Sequence, residues 1–155
     1  MAIRVGLISD THGLLRPQAL DFLRGSDYLI HAGDIVDPLT LDRLAEIAPL
    51  TSVRGNNDHG PWASRLPDAT TLTLGGVVIH ILHDLNELTR YPAPSDVRVV
   101  VTGHTHKPAC VERGDVLYVN PGAAGRRRFT LPVSVGELVI EDGQVSVRLV
   151  TLEVA

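Results

Sequence analysis

Five apolar, strand-like runs in this 155-residue chain are each followed at once by side chains that bind metals or phosphates. The clusters are Asp10-Thr11-His12, Gly33-Asp34, Gly55-Asn56-Asn57-Asp58, His83 and Gly103-His104-Thr105-His106. Taken singly, each also reads as turn chemistry or as a surface or strand-end histidine, because Gly, Asn and Asp tolerate left-handed backbone angles. Taken together they indicate one site, since loops leaving the carboxyl ends of strands in open α/β sheets converge on a single crevice. The donors are imidazole nitrogen with carboxylate and amide oxygen, and no thiolate. That mixture suits Mn, Fe, Zn, Ni or Co, and fits neither a soft-metal site nor an all-oxygen calcium site. It also offers more ligands than one ion needs. Two divalent transition-metal ions a few ångströms apart, bridged by a carboxylate, would use it fully, and such pairs polarise phosphoryl groups and generate a hydroxide nucleophile. A Ser-His-Asp alternative has no comparable support: there is no Gly-x-Ser-x-Gly elbow, and Cys110 lies among ordinary strand residues.

The elements that must position these clusters alternate in the first half. Ile3–Ser9, Tyr28–Ala32 and Leu50–Val53 read as buried strands, separated by helices over Pro17–Gly25 and from Asp37-Pro38 to Ala48. Gly60–Pro67 reads as a loop, and Thr70–Leu74 with Val77–Leu82 as a hairpin around Gly75-Gly76. Beyond the strand Val97–Thr102 the pattern is nearly all β: Ala109–Glu112, Val116–Val119, Val133–Ile140 and Val145–Val154, with Asp142-Gly143 as a turn. An α/β first half and an antiparallel second half predict two packed sheets flanked by helices. No internal repeat or long linker interrupts them, so residues 1–155 are expected to form a single domain.

Composition removes several function classes. The apolar stretches are too short to span a bilayer, and the start lacks the layout of a secretory signal, so a cytoplasmic protein is expected. A single cysteine excludes a disulfide framework and a Cys-rich zinc module. The net charge of −4 and the scarcity of aromatic residues disfavour an extended nucleic-acid partner. Locally the balance reverses. Asp10 and Asp34 contribute two negative charges against four positive ones from two divalent ions, which leaves a cationic pocket suited to a small phosphate ester. Edge strands in the second half leave a homo-oligomer open.

In these residues the chain resembles the calcineurin-like metallophosphoesterase superfamily, whose signature runs Asp-x-His, Gly-Asp, Gly-Asn-x-Asp/Glu, His, Gly-His-x-His in this order. The blocks span Asp10 to His106, about two thirds of the chain. The small size and Asn120-Pro121-Gly122 are similar to the compact bacterial and archaeal phosphodiesterases of that superfamily. The resemblance implies a four-layer αββα sandwich of two mixed sheets flanked by helices. It further implies that Asp10, His12 and His106 hold one ion, that Asn56, His83 and His104 hold the other, and that Asp34 bridges them, with manganese the first expectation for the metal. The implied reaction is hydrolysis of small phosphate diesters by attack of a metal-bridging hydroxide, with Asp34, Asn56, Asn57 and His104 at the catalytic centre.

The chain departs from the pattern at two places. Many relatives have His where this chain has Asn57, which can donate a hydrogen bond to phosphate but cannot supply a proton, so leaving groups that depart unaided are expected. His59 or Asp84 are the nearby substitutes, against the plainer reading of His59 as a loop residue. After His83 stands Asp84-Leu85 where Gly-His is common. His31 and His80 lie inside strands and read as hydrogen-bonded core histidines. Arg126, Arg127 and Arg128 form either a solvated basic turn or a substrate-binding clamp on phosphate. Two other readings use the same residues: a nuclease or cyclic-nucleotide phosphodiesterase, and a non-catalytic assembly scaffold like the eukaryotic retromer subunit of this fold.

Overall fold

In the computed structural model, which describes residues 1–154, the chain runs β1 (Ile3–Ile8), α1 (Pro17–Leu23), β2 (Tyr28–His31), α2 (Leu39–Ala45), β3 (Leu50–Ser52), α3 (Pro61–Ser64), β4 (Ala69–Leu74) and β5 (Val77–Leu82). It continues through a 3-10 turn (Leu85–Glu87), β6 (Val99–Val101), β7 (Ala109–Arg113), β8 (Val116–Asn120), β9 (Ser134–Glu141) and β10 (Gln144–Thr151). Ala155, the last residue of the expected domain, lies outside the described residues. No helix among the described residues is long and apolar enough to cross a membrane.

Two five-stranded sheets form, in the orders β10-β9-β1-β2-β3 and β4-β5-β6-β8-β7. Both are mixed. β1 is parallel to β2 and β2 to β3, whereas the β9–β10 hairpin joins β1 antiparallel. In the second sheet β6 runs parallel to β5 and β8, with β4 and β7 antiparallel at the two edges. The expected antiparallel second half is thereby corrected: β6 is buried on both faces and takes parallel neighbours, and the last two strands return to the first sheet.

The main core lies between the sheets, where Val5, Leu7 and Ile30 meet Ile79, Ile81, Val99 and Val101. Helices α1 and α2 cover the outer face of the first sheet through Ala19, Leu20, Leu23 and Leu44, against Ile8 and Leu29. Helix α2 is capped by Pro38 and not by Asp37 as expected; Asp37 stands one residue further out, its Oδ1 accepting from the Leu39 N–H at 3.0 Å. The outer face of the second sheet carries a thinner cover, the segment after β5, which His80 ties down by donating from Nε2 to the Tyr91 carbonyl at 2.8 Å. The loop expected over Gly60–Pro67 contains the one-turn helix α3. Pro61 at its first position and the Ser64 hydroxyl, bonded to the Gly60 and Pro61 carbonyls, account for it.

Candidate metal centre

The carboxyl ends of β1, β2, β3, β5 and β6 point the same way, and the loops leaving them meet at one end of the two sheets. The backbone there is unusual: Asp10, His12, Asp34, Val36, His104 and His106 all have positive φ, between 47° and 72°. Left-handed geometry costs a non-glycine residue about 1 kcal/mol. The loops offset this by bonding to each other, with the N–H groups of Asp10, His12 and Gly13 donating to the carbonyls of Gly33, Asp34 and Ile35 at 2.9–3.0 Å. The turns make consecutive polar side chains face one point instead of alternating across a sheet.

At that point lie Asp10 and Asp34, both buried. Asp10 Oδ2 accepts from the Ser9 hydroxyl at 2.7 Å and from the His104 N–H at 3.0 Å. Its other oxygen, Oδ1, has no hydrogen-bond partner, and neither do His12 Nε2 and His83 Nε2. Asp10 Oδ1 lies 3.4 Å from His106 Nε2, 3.7 Å from His12 Nε2 and 3.9 Å from His83 Nε2. Asp34 Oδ2 lies 3.4 Å from His12 Nε2 and 3.3 Å from His83 Nε2. These separations are long for hydrogen bonds, but two donors about 2.1 Å from one ion stand about 3.4 Å apart at a tetrahedral angle. Buried polar atoms left unpartnered and spaced in this way fit a metal. Two groups could hold an ion, Asp10 with His12 and His106, and Asp10 with Asp34 and His83.

Surrounding atoms orient the donors. His83 donates from Nδ1 to the Ala32 carbonyl at 2.7 Å, which leaves the Nε2 lone pair facing the carboxylates. Asn57 donates its N–H to Asp34 Oδ1 and its side-chain amide to Asp34 Oδ2, both at 2.9 Å. The residue expected to meet substrate therefore grips the candidate bridging carboxylate. Asn56 and His104 meet at the outer side, with Oδ1 and Nδ1 3.2 Å apart. Glycine is required where loops close on the site. A side chain on Gly55 would collide with the backbone and carboxylate of Asp34, and one on Gly103 would meet Asp10 Oδ2 at 2.6 Å.

Electrostatics follow from this crowding. Burial pushes both carboxyls up, but the neighbouring histidines outweigh it: His106, His12 and His83 hold Asp10 well below the usual carboxylate range, and His83 with Asn57 brings Asp34 down to about 2. The nearby Asp10 carboxylate raises His12; at His83 burial opposes, and Asp34 and Asp10 overcome it, so that group is raised too.

Asp58 stands in the third cluster but was given no role of its own from the sequence. Its buried carboxylate accepts four backbone N–H groups, from Asp34, Ile35, Val36 and Gly55, at 2.7–3.0 Å, and so fastens the loop after β3 to the loop after β2. The only signal was its place at the end of the Gly-Asn-x-Asp block. His31 is the core histidine expected: it accepts from the Gly33 N–H at Nδ1 and donates from Nε2 to Thr11, and burial lowers it to about 4. His80 is likewise bonded at both nitrogens.

Two hollows open beside the cluster. One, of about 400 Å³, is lined by Asn56, His83 and His104 together with His59, Asp84 and Arg90. The other, of about 540 Å³, is lined by Asp34, Asn57 and His106 together with Arg126, Arg127 and Arg128. Asp84 Oδ2 is 3.7 Å from His104 Nε2.

The chain is 32% identical over 162 residues to a probable metallophosphoesterase of Methanocaldococcus jannaschii, covering 96% of this chain and 81% of that protein. It is 28% identical over 160 residues to phosphodiesterase YfcE of Escherichia coli, covering 84% of each. Its fold also matches vacuolar protein sorting 29 of Cryptosporidium parvum, with a TM-score of 0.76 at 21% identity over 96% of this chain and 97% of that one. Residues 3–143 match the calcineurin-like phosphoesterase superfamily domain, and the chain belongs to that superfamily of metal-dependent phosphoester hydrolases.

Proposed function

We propose that the chain is a phosphodiesterase acting on small phosphate esters through two divalent transition-metal ions, manganese first, within one catalytic domain in the cytoplasm. Asp10, His12 and His106 hold one ion, Asn56, His83 and His104 the other, and Asp34 stands between them. The carrying observation is the set of buried, unpartnered donors around Asp10 and Asp34: Asp34 Oδ2 faces His12 on one side and His83 on the other at nearly equal distance. When bound, the pair polarises the phosphoryl oxygens and generates the nucleophile from water at neutral pH.

The chain's own residues orient and hold. Asn57 secures both oxygens of Asp34, and the Ala32 carbonyl keeps His83 in the tautomer whose Nε2 is free. Asn57 has no proton to give, so diesters with good leaving groups, such as aryl esters, turn over fastest. Arg126, Arg127 and Arg128 bind substrate.

Turnover of bis(4-nitrophenyl) phosphate by the manganese-loaded protein tests this, with Asp34→Asn as the control. Losing the carboxylate removes several kcal/mol of charge stabilisation, so kcat/KM falls about a thousandfold or more while the fold survives. A pure protein that is inert on aryl diesters and retains no metal on dialysis would instead support the scaffold reading, which the fold shared with vacuolar protein sorting 29 keeps as the rival.

A further inference from the structure

The two hollows differ in charge, and the difference bears on what the substrate carries at each end. In the smaller hollow the cations are matched: Arg54 donates from Nε and Nη2 to Asp68 at 3.0 and 2.6 Å, and Arg90 Nη1 is 3.9 Å from Glu87 Oε2. In the larger hollow they are not. Arg126, Arg127 and Arg128 are exposed, and among the described residues no side chain or carbonyl pairs with their guanidinium groups.

The segment that bears them is nevertheless anchored. Ala124 donates its N–H to the Ser9 carbonyl at 3.0 Å, and Arg16 Nε donates to the Gly125 carbonyl at 2.9 Å. Gly125 lies so close to the Thr11 carbonyl that a side chain there would collide with it. Ser134 Oγ donates to the Pro121 carbonyl at 2.7 Å, closing the base of the loop. Three unpaired cations are thus fastened to the same strand end that carries Asp10 and His12.

We infer that the substrate is an unsymmetrical phosphodiester, one arm ending in a second phosphate received by Arg126, Arg127 and Arg128, the other uncharged and directed into the smaller hollow. This rests on the phosphodiesterase reading above. The scissile diester carries one negative charge, and the ion pair already leaves its pocket cationic, so three further guanidiniums exceed what that group can neutralise. A terminal phosphate monoester supplies close to two more charges and three acceptor oxygens, and guanidinium forks match it. Asp84, beside His104 in the smaller hollow, repels an anionic arm from that side and sets the direction.

A matched pair of esters tests this: thymidine 5′-(4-nitrophenyl phosphate) with and without a 3′-phosphate. With manganese present, kcat/KM is expected to be about tenfold or more higher for the 3′-phosphorylated ester at low salt, and the preference to shrink as salt screens it. In the triple variant Arg126→Ala, Arg127→Ala, Arg128→Ala the ratio of the two falls to near one. A second readout omits the metal: calorimetric binding of thymidine 3′,5′-bisphosphate to the metal-free protein weakens about tenfold in the triple variant, and that of thymidine 5′-monophosphate much less. A ratio near one in the unmodified protein, or a preference that survives the triple variant, overturns the inference and leaves the phosphodiesterase reading standing. If both esters and bis(4-nitrophenyl) phosphate are inert, that reading fails instead, and the metal-free binding comparison still decides whether the arginines take a second phosphate.

Discussion

The two sides of the carboxylate–histidine cluster are built differently. On the inner side Asp10, His83 and His106 are buried, the Asp10 N–H and the His83 carbonyl are bonded to the loops at Gly33 and Gly103, and Asp10 Oδ1 and His83 Nε2 have no hydrogen-bond partner. On the outer side Asn56 is exposed, and the His104 side chain is 39% exposed beside open solvent. Burial removes the competing water and fixes the rotamers, so a cation on the inner side meets ligands already in place. A cation on the outer side must order part of its ligand set on arrival. On the two-ion reading proposed above, one ion would be held tightly and the other exchanged.

His106→Ala against His104→Ala is the sharpest way to break that comparison. Removing the inner ligand leaves Asp10 Oδ1 buried with one fewer donor beside it, and retained metal after dialysis is expected to drop below one ion per chain. Activity follows, by about a thousandfold. Removing the outer ligand should leave one ion firmly held and weaken the second by about 10- to 100-fold, a loss that added manganese restores. Metal analysis with a manganese titration of activity reads both. Equal stoichiometry in the two variants would show that the sides do not differ.

The next effect concerns what positions the inner side, and it shows where the sequence stopped being informative. Each strand-end cluster was legible because an apolar run, then a metal-ligating side chain, is a local pattern. Sheet membership was not: β6 and β9 both bury valine, yet one takes parallel neighbours in the second sheet and the other closes on β1, and only long-range packing decides between them. The left-handed backbones at Asp10, His12, Asp34 and His106 were equally invisible, since a sequence states residue type and not φ. Asp58 and Asn57 fell between. In sequence both are turn residues, and only the folded chain shows one carboxylate taking four N–H groups and one amide holding Asp34. Asp58→Asn replaces an acceptor oxygen with a donor facing N–H groups. It is expected to destabilise the fold by about 3 kcal/mol in urea unfolding and to weaken metal binding by about 10-fold or more without touching a ligand. Unchanged unfolding would mean that the two loops are held by their own backbone bonds alone.

The smallest effect separates histidines that await a cation from one that does not. In the metal-free protein His12 and His83 have raised pKa values, so the stability they contribute is fully present below about pH 6.5 and is lost as pH rises through the folded values. A metal must displace those protons, so its affinity climbs with pH over the same window. His31 has the opposite sign. Burial lowers it to about 4, so it stays neutral in the fold while the unfolded chain takes up a proton below about pH 6.5, and stability is lost as pH falls from there towards 4. Each tenfold difference in proton affinity between the folded and unfolded chain is worth about 1.4 kcal/mol, which makes the full loss about 3 kcal/mol. Urea unfolding across pH 4 to 8, with chelator and with manganese, reads the two slopes, and the His31 ring proton resonance reads the assignment. The alkaline loss should vanish with manganese, whereas the acid loss should persist and track a His31 titration near 4. A His31 ring that titrates near its ordinary value would mean that water reaches Thr11 and the floor of the site, and the inner side would then be no drier than the outer one.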